Sequence, residues 1–303
     1  MNLTRIIGII LIAALLIGCS MLFLMRGDAS AVSDKAALEA ALATPTPGPT
    51  SDNAVDTPAP QVTFSPEPTN TPEPTPTEEP TPDPESPAGR AAVLGLPAPP
   101  DIDIESWEFT LVNGTHSIGQ YVPEQLAYLD MTLAQTDIQY NYNAYRLPVD
   151  ARIAQPLLDM AMGCKNAGLP VYLSSGYRSY TEQAENFQRI CRNNGVTDGK
   201  DANGHYITMP AGCSEHQLAL CCDITDVRHE IKNDSLASLP TVQWLGEHCA
   251  EYGFILRFPV EKRDITEVMG ESWHFRYVGL EAARYIMDNN LCLEEFIALY
   301  KDI

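Results

Sequence analysis

Positive charge is scarce in this chain: 303 residues carry 19 Lys and Arg against 40 Asp and Glu, a formal net charge of -21 at pH 7. The basic residues form no cluster or stripe, so the phosphate contacts that nucleic-acid binding requires have no donors, and that class of partner is excluded. Acidity by itself speaks for solubility and nothing finer. A second absence is Ser-x-x-Lys: no lysine has a serine three residues before it, which removes a serine nucleophile activated by lysine at that spacing. A third is the helical metalloprotease pattern, because His229-Glu230-Ile231-Lys232-Asn233 begins correctly but has Asn233 where the second histidine belongs.

Long apolar runs are confined to the N terminus. The stretch from Ile6 to Met25 is almost wholly apolar, with Arg5 before it and Arg26 and Asp28 after. Roughly 20 residues, about 30 Å as a helix, suffice to cross a bilayer. Leu16-Ile17-Gly18-Cys19 resembles a bacterial lipobox, in which Cys19 is acylated after cleavage; Met21 to Met25 nevertheless stay apolar beyond it. An uncleaved signal anchor is therefore the preferred reading of residues 1–27, a lipoprotein signal the other. Either tethers the body to the cell membrane outside the cytoplasm.

Residues 28–100 are rich in Pro, Thr and Glu, with phrases such as Thr-Pro-Thr-Pro-Gly-Pro and no apolar periodicity. Proline fixes φ and removes donors, so this segment reads as a disordered, extended linker. The eight cysteines suit an oxidising address, and with Cys19 set aside the odd remainder leaves at least one thiol unpaired. Cys191 and Cys213 bracket a polar loop, and a disulfide between them is expected.

Residues 101–303 carry one globular domain. Trp107-Glu108-Phe109-Thr110-Leu111-Val112 alternates as a strand does and stops at the turn pair Asn113-Gly114. Residues 151–167 place Ile153, Leu157, Leu158, Ala161 and Cys164 on one helical face, with Gly168 at the cap. A short strand over 171–174 follows, and Ser179 with Glu182 forms a capping box for a helix ending at Asn193-Asn194-Gly195. Further on come a helix over 242–252, strands over 254–258 and from Trp273, and helices over 280–289 and 293–300. Short strands interspersed with helices predict an α+β domain.

Six histidines bound the metal chemistry. His116 and His205 lie in turn-rich polar segments, His229 heads the broken motif, and His248 sits on a predicted helix; each reads as solvated or structural. His216 and His274 remain. The stretch Ser214 to Asp223 puts an imidazole and a carboxylate at the ends of an apolar run, and a buried carboxylate is costly unless paired, hydrogen-bonded or bound to a metal. In the strand from Trp273, alternation turns His274 and Arg276 away from the face shared by Trp273, Phe275 and Tyr277. A catalytic zinc takes three N or O ligands and keeps a position for water. His216, Asp223 and His274 make such a set with Glu271 left as base; a satisfied core His–Asp pair is the other reading of the same spacing.

Several motifs in order carry a resemblance. Leu111-Val112-Asn113, Ser175-Gly176-Tyr177-Arg178-Ser179 with Gln183 behind it, Ser214-Glu215-His216-Gln217 to Asp223, Gly253-Phe254-Ile255-Leu256-Arg257 and Glu271-Ser272-Trp273-His274-Phe275-Arg276-Tyr277-Val278-Gly279 resemble the VanY-type D-alanyl-D-alanine carboxypeptidases. These are zinc peptidases of the peptidoglycan stem peptide and share a fold with D-Ala-D-Ala dipeptidases and the hedgehog domain. The resemblance covers about Leu111 to the C terminus. It implies a small, mostly antiparallel sheet flanked by helices, and one catalytic Zn2+ on His216, Asp223 and His274. It further implies Glu271 as general base, Arg178 as the cation that steadies the substrate carbonyl or carboxylate, and Ser214, Tyr177, Gln183 and Trp273 as substrate contacts. The implied reaction removes the terminal D-Ala of stem peptides ending in D-Ala-D-Ala. An L,D-carboxypeptidase on the tetrapeptide and a non-catalytic, zinc-stabilised wall-binding module are the rival functions; Glu271 counts against the module, since a structural zinc site needs no base.

The chain departs from the family pattern at three positions. Ala219 stands in place of a glycine, Cys221 in place of an alanine, and Ser272 in place of a proline. Ala219 adds a methyl where the backbone is expected to need either close approach or positive φ, and losing proline loosens the turn that aims Glu271. In an extended run Cys221 shares a face with Asp223, where a thiolate would compete as a soft metal ligand; it is expected instead to be a small buried hydrophobe and not a ligand, with a disulfide to Cys249 or Cys164 as the other alternative, and Cys222 to face the opposite side of the strand.

Overall fold

The computed structural model describes residues 82–141 and 147–302, so the apolar run, Cys19 and most of the Pro-rich segment lie outside the described residues. Among the described residues no helix is long and apolar enough to cross a membrane. The segment read as a disordered linker, residues 28–100, contains a helix among the described residues. Helix α1 (Pro87–Val93) starts at Ser86, whose side chain accepts from the Gly89 N–H, has proline in its first turn, and buries Ala91. Ala91 joins a cluster with Phe109, Ile286 and Phe296, which anchors this helix to the domain.

The strand expected over 107–112 is a single 3-10 turn, Trp107–Phe109. Its apolar residues serve as separate anchors: Trp107 stacks on Tyr277 at 5.9 Å and Phe109 packs on Phe296 at 5.9 Å. The carbonyls of Glu108 and Thr110 accept from the Arg276 guanidinium at 2.8 and 3.0 Å, which leaves no ladder for a strand to join.

The remaining elements are β1 (Leu126–Tyr128), α2 (Asp130–Leu133), β2 (Gln139–Tyr140), β3 (Pro148–Asp150), α3 (Ala154–Asn166), β4 (Tyr172–Ser175), α4 (Tyr180–Asn194), β5 (Cys221–Thr225), α5 (Pro240–His248), β6 (Phe254–Phe258), α6 (Arg263–Thr266), β7 (Glu271–Tyr277), α7 (Leu280–Asp288) and α8 (Leu293–Ala298). Strands β1 and β3 form a two-stranded antiparallel pair, and the main sheet has the order β2-β4-β5-β7-β6. Among the described strands of this sheet β2 and β4 run parallel, and the other pairings are antiparallel. The architecture is α+β with a small, mostly antiparallel sheet, as the sequence implies. The Ser179–Glu182 capping box opens α4, and Gly195 closes it at φ 68°.

Alternation divides the sheet into two chemical faces. Cys222, Ile224, Phe254 and Phe275 point into a core completed by Leu157, Met160 and Leu245 from α3 and α5. On the opposite face Ile255 packs with Ile286 and Phe296 of α7 and α8, and beside it lie charged groups. Glu215 Oε1 accepts from Arg257 Nε at 2.7 Å and from Arg276 Nη1 at 2.6 Å. Arg257 also donates to both oxygens of Glu294 at 2.7 and 2.8 Å, and Asn113 Nδ2 donates to Glu294 at 3.3 Å. Arg257 and Arg276 are fully buried, so neither guanidinium can exchange a lost partner for water.

Burial alone works against an ionised Glu294, and Arg257 more than offsets it, holding the carboxyl below the usual range. A depressed carboxyl contributes stability that is complete above the ordinary glutamate range and is lost as pH falls through the depressed value. Glu294→Ala strands Arg257 with one partner, and breaking a buried pair in this way costs about 3–5 kcal/mol. Urea denaturation at neutral pH is expected to show a loss of that order, shrinking on acidification; a loss below about 1 kcal/mol is what a surface pair gives and contradicts the network.

Candidate metal centre

Strands β5 and β7 pair with Asp223 opposite His274 and Cys221 opposite Arg276, so all four side chains rise from one face. His216 reaches that face from the 3-10 turn Glu215–Gln217, which reverses into β5 through Ala219. The reversal demands a left-handed residue, and Ala219 sits at φ 63°, in line with the expectation for that position. Its N–H donates to His216 O at 3.2 Å and its carbonyl accepts from Asp150 N at 3.0 Å, so the turn is held from both sides.

Each imidazole is aimed from behind. His216 Nδ1 lies 2.7 Å from Gly176 O; donating there leaves Nε2 as the lone-pair nitrogen, 3.4 Å from Asp223 Oδ1. Glycine is required at 176, because a Cβ would come within 2.4 Å of Pro148 O. His274 Nε2 lies 3.2 Å from Glu215 Oε2, which leaves Nδ1 at 3.2 Å from Asp223 Oδ1 and 3.4 Å from Glu271 Oε2. Asp223 Oδ2 accepts from Lys232 Nζ at 2.7 Å, and the same ammonium donates to Ser174 Oγ at 2.8 Å.

The rear atoms are therefore satisfied and the front atoms are not. Asp223 Oδ1 and His274 Nδ1 are buried without a hydrogen-bond partner. Leaving a buried polar atom unsatisfied costs about 1–3 kcal/mol, and two such atoms facing each other beside His216 Nε2 are what a bound cation relieves. The donor set is two nitrogens and one oxygen, which zinc accepts, and carboxylate or carbonyl partners behind each imidazole are the usual outer support of a metal ligand. The residues fit a metal better than they fit a self-satisfied His–Asp pair.

Glu271 opens β7, paired with Phe258, so the strand fixes its backbone although Ser272 replaces proline. Burial, joined by the Asp223 charge, raises its carboxyl pKa while His274 pulls it down, and the balance is upward. Cys221 Sγ lies with one nitrogen of His216 and one of His274 within 4.8 Å of one another. Burial opposes ionisation of that thiol, but the two imidazoles bring it down to about 7.

Arg178 completes the cluster. Its backbone N–H donates to His216 O at 3.0 Å, and its guanidinium donates to Gln183 Oε1 and, at 3.2 Å, to Ser175 Oγ. Burial lowers its pKa against the pull of Asp223, Cys221 and Glu271, which marks a cation facing the site. Gln183 is 1% exposed and spends its amide on Arg178 and on Met209 O, so it steers Arg178. Ser214 is buried, and its backbone carbonyl accepts from Gln217 N at 3.0 Å. Trp273 is buried with its ring 5.8 Å from Lys232 Nζ, and Tyr177 is half-buried, its N–H on Pro148 O at 2.7 Å.

The other histidines lie apart: His116 bonds Asn113, His205 Asp264, His229 Asp226 and His248 Glu251. Cys191 and Cys213 are free buried thiols, not a disulfide. Hydrogen bonds do the fastening there, from Gln183 Nε2 to Met209 O, from Gly212 N to Gln217 Oε1 and from Ser117 Oγ to Gly212 O. Sequence reasoning missed Glu215 and Lys232. Glu215 had a signal, since Arg276 shares a face with His274 and needs an acid; Lys232 arrives on a loop with no periodicity to announce it.

The VanY family model, described as D-alanyl-D-alanine carboxypeptidase, matches residues 146–280. The chain is similar to the putative carboxypeptidase YodJ of Bacillus subtilis (strain 168), 34% identical over 196 residues that make up 64% of this chain and 68% of the relative. A D-alanyl-D-alanine carboxypeptidase of Enterococcus faecalis is 32% identical over 201 residues, 64% of this chain and 67% of the relative. Among solved structures, the LdcB LD-carboxypeptidase superposes with a TM-score of 0.53 at 32% identity, over 64% of this chain and 86% of that one. The vancomycin-resistance D,D-dipeptidase VanXYg, at 24% identity and a TM-score of 0.52 over 63% of this chain and 70% of that one, shares the fold.

Ala219→Gly removes a Cβ from a left-handed residue, where an L side chain costs roughly 1–2 kcal/mol, against roughly 0.5–1 kcal/mol for glycine's extra freedom in the unfolded chain. The variant is expected to gain up to about 1.5 kcal/mol in urea denaturation; a lowered midpoint contradicts strain at this turn.

Proposed function

Because the chain belongs to the VanY family of D-alanyl-D-alanine carboxypeptidases, we propose that it is a zinc-dependent D,D-carboxypeptidase removing the terminal D-alanine of peptidoglycan stem peptides that end in D-Ala-D-Ala. Family membership rests on the curated relatives, of which the chain spans 68% and 67%. The reading is carried by one observation, the unsatisfied Asp223 Oδ1 and His274 Nδ1 converging beside His216 with Glu271 in reach.

His216 Nε2, Asp223 Oδ1 and His274 Nδ1 would hold a zinc ion, which would supply Lewis-acid polarisation of the scissile carbonyl and a lowered pKa for the attacking water. Glu271, its carboxyl raised by burial, takes the proton of that water and returns it to the departing D-alanine amine. Arg178 counters the charge growing on the carbonyl oxygen or grips the substrate carboxylate with two parallel donors. Glu215 and Lys232 keep His274 and Asp223 from turning as charge redistributes. In this reading the apolar 6–25 stretch, as a signal anchor or a lipoprotein signal, tethers the enzyme at the outer face of the cell membrane.

Similarity to the LD-carboxypeptidase LdcB at a TM-score of 0.53 favours a second reading, cleavage of D-alanine from a tetrapeptide. Incubating the full chain with pentapeptide and with tetrapeptide, with and without chelator, separates the two. Release of D-alanine from the pentapeptide, lost with chelator and restored by zinc, is expected; release from the tetrapeptide alone selects the L,D reaction, and no release under any metal condition ends both. With no serine nucleophile in the scheme, β-lactams are expected to leave the rate unchanged. Glu271→Gln is expected to retain bound zinc while turnover falls by about 10²–10⁴-fold; a near-normal rate places the base elsewhere.

A further inference from the structure

Seven described cysteines are free and buried, and six of them have settings that explain a thiol as filler. Cys164, Cys222 and Cys249 belong to the apolar core behind the sheet, Cys191 lies on the buried side of α4, Cys213 ends the loop before Ser214, and Cys292 caps α8. Cys221 differs. It is 0% exposed yet stands on the polar face, two residues before Asp223 and across from Arg276. Its distance from the core thiols in direction, on the opposite side of β5, removes the disulfides to Cys164 and Cys249 that the sequence leaves open.

The surroundings of Sγ are two imidazoles. Sγ, one His216 nitrogen and one His274 nitrogen form a mutually close triangle with every separation within 4.8 Å, and the two rings meet edge to face at 5.0 Å between centroids. Asp223 Oδ1 contacts the same two residues at 3.4 and 3.2 Å. Asp223 also forms a second close group with Glu271 and His274, so His274 is common to a thiol-bearing set and a carboxylate-bearing set. An alanine here, which the family pattern has, offers only a methyl.

We propose that Cys221 Sγ is a fourth protein donor to the metal, making the centre a two-histidine, one-carboxylate, one-thiolate site suited to thiophilic divalent cations. This rests on the metal reading given above and revises the expectation that Cys221 stays off the metal. A thiolate is a soft donor, so its addition moves preference towards zinc, cadmium and cobalt over hard cations such as magnesium or manganese. Four protein donors close a zinc site, whereas catalysis keeps one position open. Cys221 would then stand in the position that substrate or water must claim, and would have to leave it for the reaction to proceed.

Cobalt(II) reports the donor directly. The full chain in detergent, stripped with chelator and titrated with cobalt(II), is expected to show visible d–d bands of a four-coordinate site together with a near-ultraviolet thiolate-to-cobalt charge-transfer band. Cys221→Ser and Cys221→Ala are each expected to keep the visible bands and lose the charge-transfer band; using both guards against one variant failing to fold. Visible bands without charge transfer in the unsubstituted protein overturn the sulfur ligand and leave the metal site standing. A charge-transfer band that persists in both variants also overturns it, by assigning the sulfur elsewhere. No cobalt bands at all overturn the metal reading and this inference with it.

Discussion

The register that sets Asp223 opposite His274 on antiparallel strands is the constraint on which the site depends. Because side chains alternate, a slip of one residue would send both groups into the apolar core and bring Cys222 and Phe275 out in their place. The core forbids that slip: Cys222, Ile224 and Phe275 are each 0% exposed behind the sheet. Hydrophobic burial on one face thus fixes polar geometry on the other. The 3-10 turn that brings His216 over this pair depends in turn on a left-handed residue at 219, a conformation alanine tolerates at a cost.

Charge compensation is layered around that register. Glu215 links His274 to Arg257 and Arg276, and Arg257 passes the link to Glu294. Lys232 takes the outer oxygen of Asp223. Each buried charge behind the ligands has an opposite partner, and the atoms left unsatisfied within the cluster are the ones that face its centre. Rigid support of this kind keeps ligands from reorganising when charge develops, which is how preorganised sites lower a barrier.

Much of this was legible in the sequence because it rests on local rules. The Ser179–Glu182 capping box, the caps at Gly195 and Gly253 and the two faces of the strand from Trp273 all follow from short-range periodicity and φ preference. His216, Asp223, His274 and Glu271 were singled out by the cost of burying polar groups and by a family resemblance. What stayed illegible depends on distant partners. Trp107 to Val112 alternates like a strand, but Arg276 takes its carbonyls. Pro87–Val93 looks like linker until Ala91 meets Phe296. The spacing of Cys191 and Cys213 suggests a bridge, yet hydrogen bonds from Gln183 and Gln217 already secure that loop. Lys232 reaches Asp223 from a segment without any repeating pattern.

The central claim is that the unsatisfied front atoms mark a metal position. Anomalous diffraction at the zinc edge, from crystals of the protein grown with zinc, tests it most directly. One strong peak is expected within bonding distance of His216 Nε2, Asp223 Oδ1 and His274 Nδ1, at about 2.0–2.2 Å from each. No peak there, or a peak bound only by residues outside this cluster, contradicts it.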